Sequence, residues 1–371
     1  MLPSMRFEDY QRTSRLPNLD GLRGIAILLV LLHHVPISAT HWLSQLQVNG
    51  KQGVALFFVI SGYIVVTLLL REYRHKAKID VTGFLIRRTF RLWPLYYAVL
   101  ALEAGMVAAG LYSDANQQLF SDKLGCYVLY CSNFLESSGQ GPFFVSWSLA
   151  VEEQFYLFVA VTLLLLPVRF LLFVVAGMLF LKLGLIYFTD QVDETRLLWR
   201  VLLGYSEAII IGVMAAFLLE SRAGFDLVRR LKNIPFLVPL AYTGLFAMLL
   251  FVQLHHRSEP MTVTFYLLCA LTVVLSVTRG PLPVVGGKWF SFVGVISYGI
   301  YLLHMPVISG VKKFASDPLL IFIVSLVVVL PMAWASYRFF ENPIRKYGSG
   351  LSRALGQRSA NRYVKKSVET I

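Results

Sequence analysis

The sequence predicts an all-α membrane protein, a polytopic transmembrane helix bundle of about ten spans with both termini in the cytoplasm. Three observations lead to this prediction. The chain of 371 residues is 57% hydrophobic and only 15% charged, whereas about a quarter of the residues of a soluble domain are charged. Apolar runs close to the ~20 residues that cross a bilayer recur along the chain. Its basic residues also concentrate in alternate loops.

The apolar runs place the ten spans at roughly 21–39, 52–70, 92–110, 143–166, 170–188, 197–219, 234–253, 261–278, 290–309 and 318–340. The loops on the N-terminal side then hold 26 of the 34 lysines and arginines, the opposite loops hold seven, and one lysine lies inside a span. Cytoplasmic loops are the positive ones, so the number of spans is even and both termini are cytoplasmic. The net charge of +13 therefore reflects topology, and we expect no nucleic-acid partner.

The spans belong to a single membrane domain, 21–346, which lies between a cytoplasmic segment at 1–20 and a short basic cytoplasmic tail at 347–371. The outer segment 111–141 is the longest connection between spans. Its two cysteines, Cys126 and Cys131, could form a disulfide bond in an oxidising compartment. The alternative is that both remain free thiols.

The first span carries a titratable residue at each end. Arg23 and His34 are 11 residues apart, close to three helical turns, so both lie on one face about 16 Å apart. An ionisable side chain at the depth of His34 indicates function, and histidine suits proton transfer near neutral pH. We therefore predict that His34 is catalytic. His33 points about 80° away from the Arg23 face, which favours a hydrogen bond between helices.

The fourth span contains two adjacent acids. Ser148, Glu152 and Tyr156 recur every four residues and share one face, whereas Glu153 points about 100° away. This span runs from outside to inside, so Glu152 can approach His34 from the opposite direction. Glu152 is therefore predicted to be catalytic, orienting the imidazole and stabilising its charged form. The alternative is a buried pair with an arginine from another span.

Further polar residues are candidates for substrate binding. The glycines of "GVALFFVISGYIV" favour close helix packing, while the serine of that stretch could line a cavity. In "ISYGIYLLHMP" a serine, a tyrosine and a histidine share a face, and the histidine either contacts the acceptor or bonds a tyrosine. Near the end of the last span, Arg338 and Glu341 are expected to pair. The predicted substrate-binding residues are Ser61, Trp147, Ser148, Tyr301 and His304.

An arginine cluster, Arg87, Arg88 and Arg91, lies where the third span meets the cytoplasm. These residues could anchor lipid headgroups. They could instead bind phosphate, because guanidinium groups chelate phosphate oxygens, and a negatively charged cytoplasmic cosubstrate would suit them. The sequence has no Gly-rich phosphate loop, metal-ligand cluster or HExxH motif, so we predict no metal site.

From Leu19 to Lys346 the chain resembles acyltransferase family 3 of integral membrane proteins. The resemblance rests on six stretches in order: "LDGLRGIAILLVLLHH", "GVALFFVISGYIV", "FLIRRTFRLWPLYY", "WSLAVEEQFYL", "ISYGIYLLHMP" and "ENPIRK". It implies a ten-span enzyme that moves an acyl group, usually acetyl from cytoplasmic acetyl-CoA, to a hydroxyl of a sugar or cell-surface glycan. The family's motif of an arginine, ten intervening residues and a histidine selects Arg23 and His34.

The resulting hypothesis is an O-acyltransferase of the bacterial inner membrane, in contact with the bilayer and with a glycan or glycoside acceptor. Arg23, Arg87, Arg88 and Arg91 would hold the phosphates of acetyl-CoA, and His34 would deprotonate the acceptor or carry the acyl group. The alternative is a secondary transporter in which His34 and Glu152 relay protons. The absence of inverted repeats and of paired broken spans in the sequence argues against transport.

The charge distribution makes topology testable. Reporter fusions after residues 80, 225 and 371 should be cytoplasmic, and a fusion within 111–141 should be external, because positive loops stay inside. A cytoplasmic reporter in 111–141 would reverse the predicted orientation.

Overall fold

A computed structural model describes residues 5–13, 16–38, 43–135, 140–188, 204, 206–231, 233–251, 260–278, 282 and 285–369. Throughout these ranges the regular structure is helical and contains no strand. The all-α fold class is therefore confirmed.

The helices are numbered here in chain order over the described residues. The α-helices are α1 (Phe7–Arg12), α2 (Pro17–His33), α3 (Ser44–Asn49), α4 (Gly53–Lys76), α5 (Val81–Ala108), α6 (Asp114–Val128), α7 (Ser146–Leu165), α8 (Leu171–Phe188), α9 (Glu207–Glu220), α10 (Arg222–Leu231), α11 (Leu237–Phe251), α12 (Pro260–Val277), α13 (Lys288–Val295), α14 (Ser297–Val311), α15 (Pro318–Ser336) and α16 (Asn342–Glu369). Short 3₁₀ turns lie at Gly50–Gln52, Ser132–Phe134 and Val168–Phe170, and a π-helical turn lies at Tyr337–Glu341.

Several of these helices have the length and composition to cross a membrane. In the described ranges four helical stretches do so, and six do if each of two bent helix pairs counts as one span. Two further apolar helices, Leu237–Phe251 and Met261–Val277, are shorter. The number ten stays a prediction, and part of the expected span 197–219 lies outside the described residues.

The described helices contain two sharp bends. The bend inside the predicted span 290–309 contradicts the expectation of unbroken spans, whereas the other, at Ser221, lies beyond the end of the predicted span 197–219. Helices α9 and α10 form a pair bent by 98°, and α13 and α14 form a pair bent by 73°. The second bend brings the first residue of α14, the fully buried Ser297, against α2, where its hydroxyl accepts a hydrogen bond of 3.2 Å from Arg23. A broken span thus contributes a helix end to the protein interior.

Helix α2 ends earlier than the apolar run predicts. It stops at His33, and His34 is its C-terminal cap, whereas the run suggested a span to residue 39. By contrast, α5 begins at Val81, capped by Asp80, whose side chain accepts a hydrogen bond from the Gly83 amide. This helix therefore begins 11 residues before the predicted span 92–110 and includes the arginine cluster.

The C-terminal segment is helical across the domain boundary expected at residue 346. Helix α16 packs along α5, where Ser352 accepts a hydrogen bond from Arg87 (2.8 Å) and donates one to the Gly83 carbonyl (3.3 Å). The predicted pairing of Arg338 with Glu341 is wrong. These residues lie in the π-helical turn, whose wider spacing removes the i, i+3 alignment, and Glu341 accepts a hydrogen bond from Ser336 instead.

The long segment 111–141 folds back on α5. It contains α6, and a disulfide joins Cys126 and Cys131. The Tyr127 hydroxyl donates to the Pro142 carbonyl (2.9 Å), while the Tyr127 carbonyl accepts from Tyr96 of α5 (2.7 Å). These bonds fix the segment next to the start of α7.

Buried ion pairs join α9 to its neighbours. Lys182, the lysine that falls inside a predicted span, lies 2.9 Å from Glu207, and each side chain is 2% exposed. At the other end of α9, Glu220 accepts from both Arg71 and Arg74 of α4 at 2.8 Å. Such pairs make buried charge tolerable among apolar helices.

Two buried apolar clusters form the core, one around α4, α9 and α12 and the other around α5, α14 and the C-terminal half of α2. Three side chains, Val54, Phe57 and Tyr298, pack against both clusters. The space between the clusters contains the candidate site described below.

Glycines allow the central helices to touch backbone to backbone. A Cβ atom at Gly62 of α4 would lie 2.2 Å from the Ile209 carbonyl oxygen, and one at Gly212 of α9 would lie 2.1 Å from that of Val59. This reciprocal contact confirms the close packing that the small residues of the second span predict.

Alanine at either glycine should therefore weaken the protein. We expect Gly62→Ala or Gly212→Ala to lower the free energy of unfolding by about 1–3 kcal/mol through overpacking, measured by thermal unfolding in detergent. Gly177→Ala is the matched control, because a Cβ atom there meets nothing within 4 Å and alanine favours helix. Equal effects of the three substitutions would contradict this packing.

Candidate active site

A small cavity with several polar residues in its wall lies between α2, α4, α5, α7 and α14. It has a volume of about 60 Å³ and adjoins a second space of about 20 Å³. Arg23, Ser61 and Arg91 line both spaces, and we call the two together the arginine cavity. The other polar residues of its wall are Arg88, Ser148, Glu152, Tyr156, Ser297, Tyr298 and Tyr301.

Three of the four predicted anion-binding arginines meet at this cavity. The guanidinium of Arg23 lies 5.9 Å from the centre of the Phe57 ring, and that of the buried Arg88 lies 5.2 Å from the centre of the Tyr156 ring. Such cation–π contacts hold a guanidinium in place without neutralising its charge. Arg91 is on the same side of α5 as Arg88, one turn further along.

Arg87, which is also in the predicted cluster, points elsewhere. Its guanidinium donates to Ser352 of α16 (2.8 Å) and to the carboxylate of Glu72 (3.2 Å). It therefore joins α5 to α4 and α16, and it does not line the cavity. The helical face that enters the cavity is that of Arg88 and Arg91, not that of Arg87 and Arg91.

Helix α7 presents the face that the four-residue spacing predicts. Ser61 donates to Oε1 of Glu152 (2.6 Å), and Tyr156 donates to the same oxygen. One turn earlier, the hydroxyl of Ser148 lies 2.6 Å from that of Tyr301. Glu153 is separate, as its angle predicts, and its carboxylate accepts from the indole of Trp93 (3.2 Å).

The side chains that line the cavity carry a net positive charge. Among the lining residues three guanidinium groups face one carboxylate, that of Glu152, while the carboxylates of Asp20 and Glu341 act on these charges from outside the lining. Within the described part of the chain none of the three guanidinium groups has a carboxylate at ion-pair distance. The N-terminal end of α14 at Ser297 also lies in the wall, where the helix dipole favours negative charge. The arrangement is suited to an anion such as a phosphate group.

The predicted catalytic histidine lies next to the cavity wall rather than in it. His34 caps α2, and its Nδ1 atom is 2.9 Å from the Val30 carbonyl oxygen and 3.1 Å from Nε2 of His304. His304 is fully buried one turn beyond Tyr301, which lines the cavity. Phe144 packs on the other side of His34, with ring centres 5.5 Å apart.

His33 has the structural role predicted from its angle. Its Nδ1 atom lies 2.9 Å from the Gln47 carbonyl oxygen, and the Gln47 side chain donates to the His33 carbonyl (2.7 Å). The residue thus joins the end of α2 to α3.

The expected contact between Glu152 and His34 is not present among the described residues. Glu152 bonds Ser61 and Tyr156, while His34 bonds Val30 and His304. The reason is that the Glu152 face of α7 meets α4, whereas the end of α2 meets α14. His304 therefore occupies the position beside His34 that the sequence assigned to a carboxylate.

A second, larger cavity of about 270 Å³ lies between α4, α7, α9 and α12. We call it the tryptophan cavity, because the half-buried Trp147, predicted to bind substrate, lies in its wall. Val54 and Phe58 line both this cavity and the arginine cavity. The remaining lining residues include Lys51, Gln52, Ser206, Glu207, Thr262 and Tyr266.

Sequence reasoning missed the pairing of the two histidines and the position of Tyr156 beside an arginine. Helical periodicity shows which residues share a face, but it does not show which helices are neighbours. The sequence did indicate the position of Tyr156, because this residue continues the four-residue spacing of Ser148 and Glu152. For His34 and His304, 270 residues apart, the only signal was that both histidines lie in apolar helices.

The chain is similar in sequence to known acyltransferases. The chain matches the acyltransferase domain family over residues 16–338. It is 31% identical over 388 aligned residues to a Staphylococcus aureus (strain MRSA252) protein with the provisional name O-acetyltransferase, covering 95% of this chain and 61% of that protein. It is 27% identical over 369 residues to O-acetyltransferase OatA of S. aureus (strain NCTC 8325 / PS 47), covering 92% of this chain and 59% of OatA. The chain spans about three fifths of the length of these relatives. No solved structure matches the chain.

Proposed function

Because the chain belongs to acyltransferase family 3, we propose that it is a membrane O-acetyltransferase. It transfers an acetyl group from cytoplasmic acetyl-CoA to a hydroxyl of a cell-surface glycan or another sugar-containing acceptor, in the bacterial inner membrane. The names of its relatives support O-acetyl transfer, and its long apolar helices support a place in a membrane. The observation that carries the proposal is the positive arginine cavity beside the histidine pair.

The donor site is formed by Arg23, Arg88 and Arg91. Coenzyme A carries several phosphate charges at one end and the reactive thioester at the other, separated by a long arm. Guanidinium groups bind phosphate oxygens through short, charge-assisted hydrogen bonds. With its phosphates at these arginines, the arm extends toward Tyr301 and the histidine pair.

The acceptor site is the tryptophan cavity. Its wall combines aromatic faces, Trp147 and Tyr266, with polar groups such as Gln52, a mixture suited to a sugar, which has both apolar faces and hydroxyl groups. Because Val54 and Phe58 line both cavities, donor and acceptor would meet across these two side chains.

The chemistry depends on His34. As the acceptor oxygen attacks the thioester carbonyl, a C–O bond forms and the C–S bond breaks. His34 takes the hydroxyl proton and returns it to the departing thiolate, giving free coenzyme A. In a variant of this route His34 accepts the acetyl group first and passes it on. Both routes require an unprotonated ring nitrogen that faces the reactants.

Glu152 acts within the donor site. Its carboxylate accepts hydrogen bonds from Ser61 and Tyr156 and is the negative group in the wall shared with Arg23 and Arg91. It therefore positions the polar wall around the bound donor, in place of the orienting role toward His34 that the sequence suggested.

Secondary transport is kept as a second candidate because of the two bent helix pairs, since broken helices are typical of transporter sites. Purified protein incubated with acetyl-CoA separates the two functions. The enzyme should bind the coenzyme and hydrolyse it slowly without an acceptor, whereas a proton-coupled transporter should leave it intact.

The arginines make the donor site testable. We expect Arg91→Ala to raise the KM for acetyl-CoA about 10- to 100-fold, because a lost charge-assisted contact costs roughly 1.5–3 kcal/mol. Arg87→Ala is the matched control on the same helix, already bonded to Glu72 and Ser352, and should change the KM much less. Equal KM changes in the two variants would contradict the donor site and favour the alternative, in which the arginine cluster anchors lipid headgroups.

The histidines make the chemistry testable. His34→Ala should lower kcat by about 10²–10⁴-fold, the usual contribution of a general base, while acetyl-CoA binding persists. His33→Asn should keep most activity, because an asparagine amide can still donate to the Gln47 carbonyl. The measurement is acetyl transfer at matched expression and thermal stability. An active His34→Ala protein beside an inactive His33→Asn protein would refute the assignment.

A further inference from the structure

The contacts of the histidine pair determine where its protons lie. Nδ1 of His304 is 2.6 Å from the Tyr301 carbonyl oxygen. Nδ1 of His34 is 2.9 Å from the Val30 carbonyl oxygen and 3.1 Å from Nε2 of His304. Carbonyl oxygens only accept hydrogen bonds, so each of these two Nδ1 atoms must carry a proton.

The end of α2 makes the Val30 carbonyl available. The backbone amide of His34 bonds Leu31 rather than Val30, so the carbonyl of Val30 is one of the unfilled acceptors at a helix C-terminus. The His34 side chain fills it. The contact therefore follows from the position of the helix end.

The bond between the two rings agrees with this assignment. A neutral His304 with its proton on Nδ1 has a bare Nε2, which accepts from Nδ1–H of His34. The reverse direction would need a proton on both nitrogens of the fully buried His304. It would also place the bare Nδ1 of His34 against the Val30 oxygen, lone pair against lone pair. Only one arrangement satisfies all three contacts with neutral rings, and in it the single Nδ1–H of His34 is shared between the Val30 oxygen and Nε2 of His304 as a three-centre hydrogen bond.

We propose that His304 is a positioning residue that, together with the Val30 carbonyl, holds His34 in the Nδ1-protonated tautomer and leaves Nε2 as its free basic nitrogen. The catalytic consequence rests on the proposed function: Nε2 is the atom that takes the acceptor proton or the acetyl group. When Nε2 gains a proton, the bond from Nδ1–H to His304 becomes charge-assisted and strengthens. His304 thus accepts the Nδ1–H hydrogen bond that a carboxylate accepts from other catalytic histidines.

The tautomer can be measured without an activity assay. The full chain, labelled with ¹⁵N in the imidazole rings of its seven histidines and held in detergent, gives ¹⁵N shifts that distinguish protonated from bare ring nitrogens. The signals lost in His34→Ala and in His304→Ala assign the two rings. We expect neutral rings with protonated Nδ1 at both residues. Protonated Nε2 at His34 would overturn the proposal.

Two conservative variants test the positioning role. In His304→Gln the amide oxygen can reach the place of Nε2 and accept from His34, whereas in His304→Asn the shorter amide reaches only the Tyr301 carbonyl. We expect the asparagine variant to lose about 10- to 100-fold in kcat with unchanged KM for acetyl-CoA, as for other partners that orient a reactive histidine. The glutamine variant should retain most of the kcat at comparable thermal stability. Equal kcat loss in both variants would overturn the positioning role.

The two experiments separate this inference from the proposed function. If the ¹⁵N shifts show Nδ1–H at His34 but His34→Ala still transfers acetyl groups, the tautomer assignment is supported and the proposed catalytic role of His34 is wrong. If His34→Ala is inactive but the shifts show Nε2–H at His34, the proposed catalytic function is supported and the positioning role of His304 is wrong.

Discussion

Burying a charged side chain among apolar helices costs desolvation free energy, and this cost determines how the centre of the protein is organised. Away from the cavity the cost is met by ion pairs, such as Lys182 with Glu207 and Arg71 with Glu220. At the cavity the guanidinium groups are held by aromatic rings and by the hydroxyl of Ser297 instead. In the proposed function these positively charged groups would bind the anionic donor.

Close backbone contact gives this arrangement its rigidity. Gly24 of α2 lies against the Phe290 carbonyl of α13, where a Cβ atom would come within 2.3 Å of the oxygen, and Gly62 lies similarly against α9. Helices that touch in this way have little freedom to slide, because interiors are close-packed. Arg23 and Ser61 are each next to one of these glycines in sequence. Their side chains thus extend from parts of α2 and α4 that are closely packed against neighbouring helices.

Helix α2 connects the two halves of the proposed site. Arg23 lies near its beginning, at the arginine cavity, and His34 caps its end beside His304. The rise of an α-helix sets their separation at about 16 Å. In the proposed function, a donor with its charge at one end and its thioester at the other would need such a separation, and the helix would act as a spacer between binding and chemistry. The bend between α13 and α14 completes both halves, since α14 contributes Ser297 at one level and His304 at the other.

The sequence by itself determined the helical class, the shared faces of Ser148, Glu152 and Tyr156, and the separate positions of His33 and Glu153. It could do so because hydropathy and the 3.6-residue period are local properties of the chain. Tertiary structure alone decided that His304 rather than Glu152 contacts His34, that Arg87 faces α16, and that α14 begins at a bend. These outcomes depend on which helices are neighbours and where each ends. Packing between distant segments sets both, and no local period encodes them.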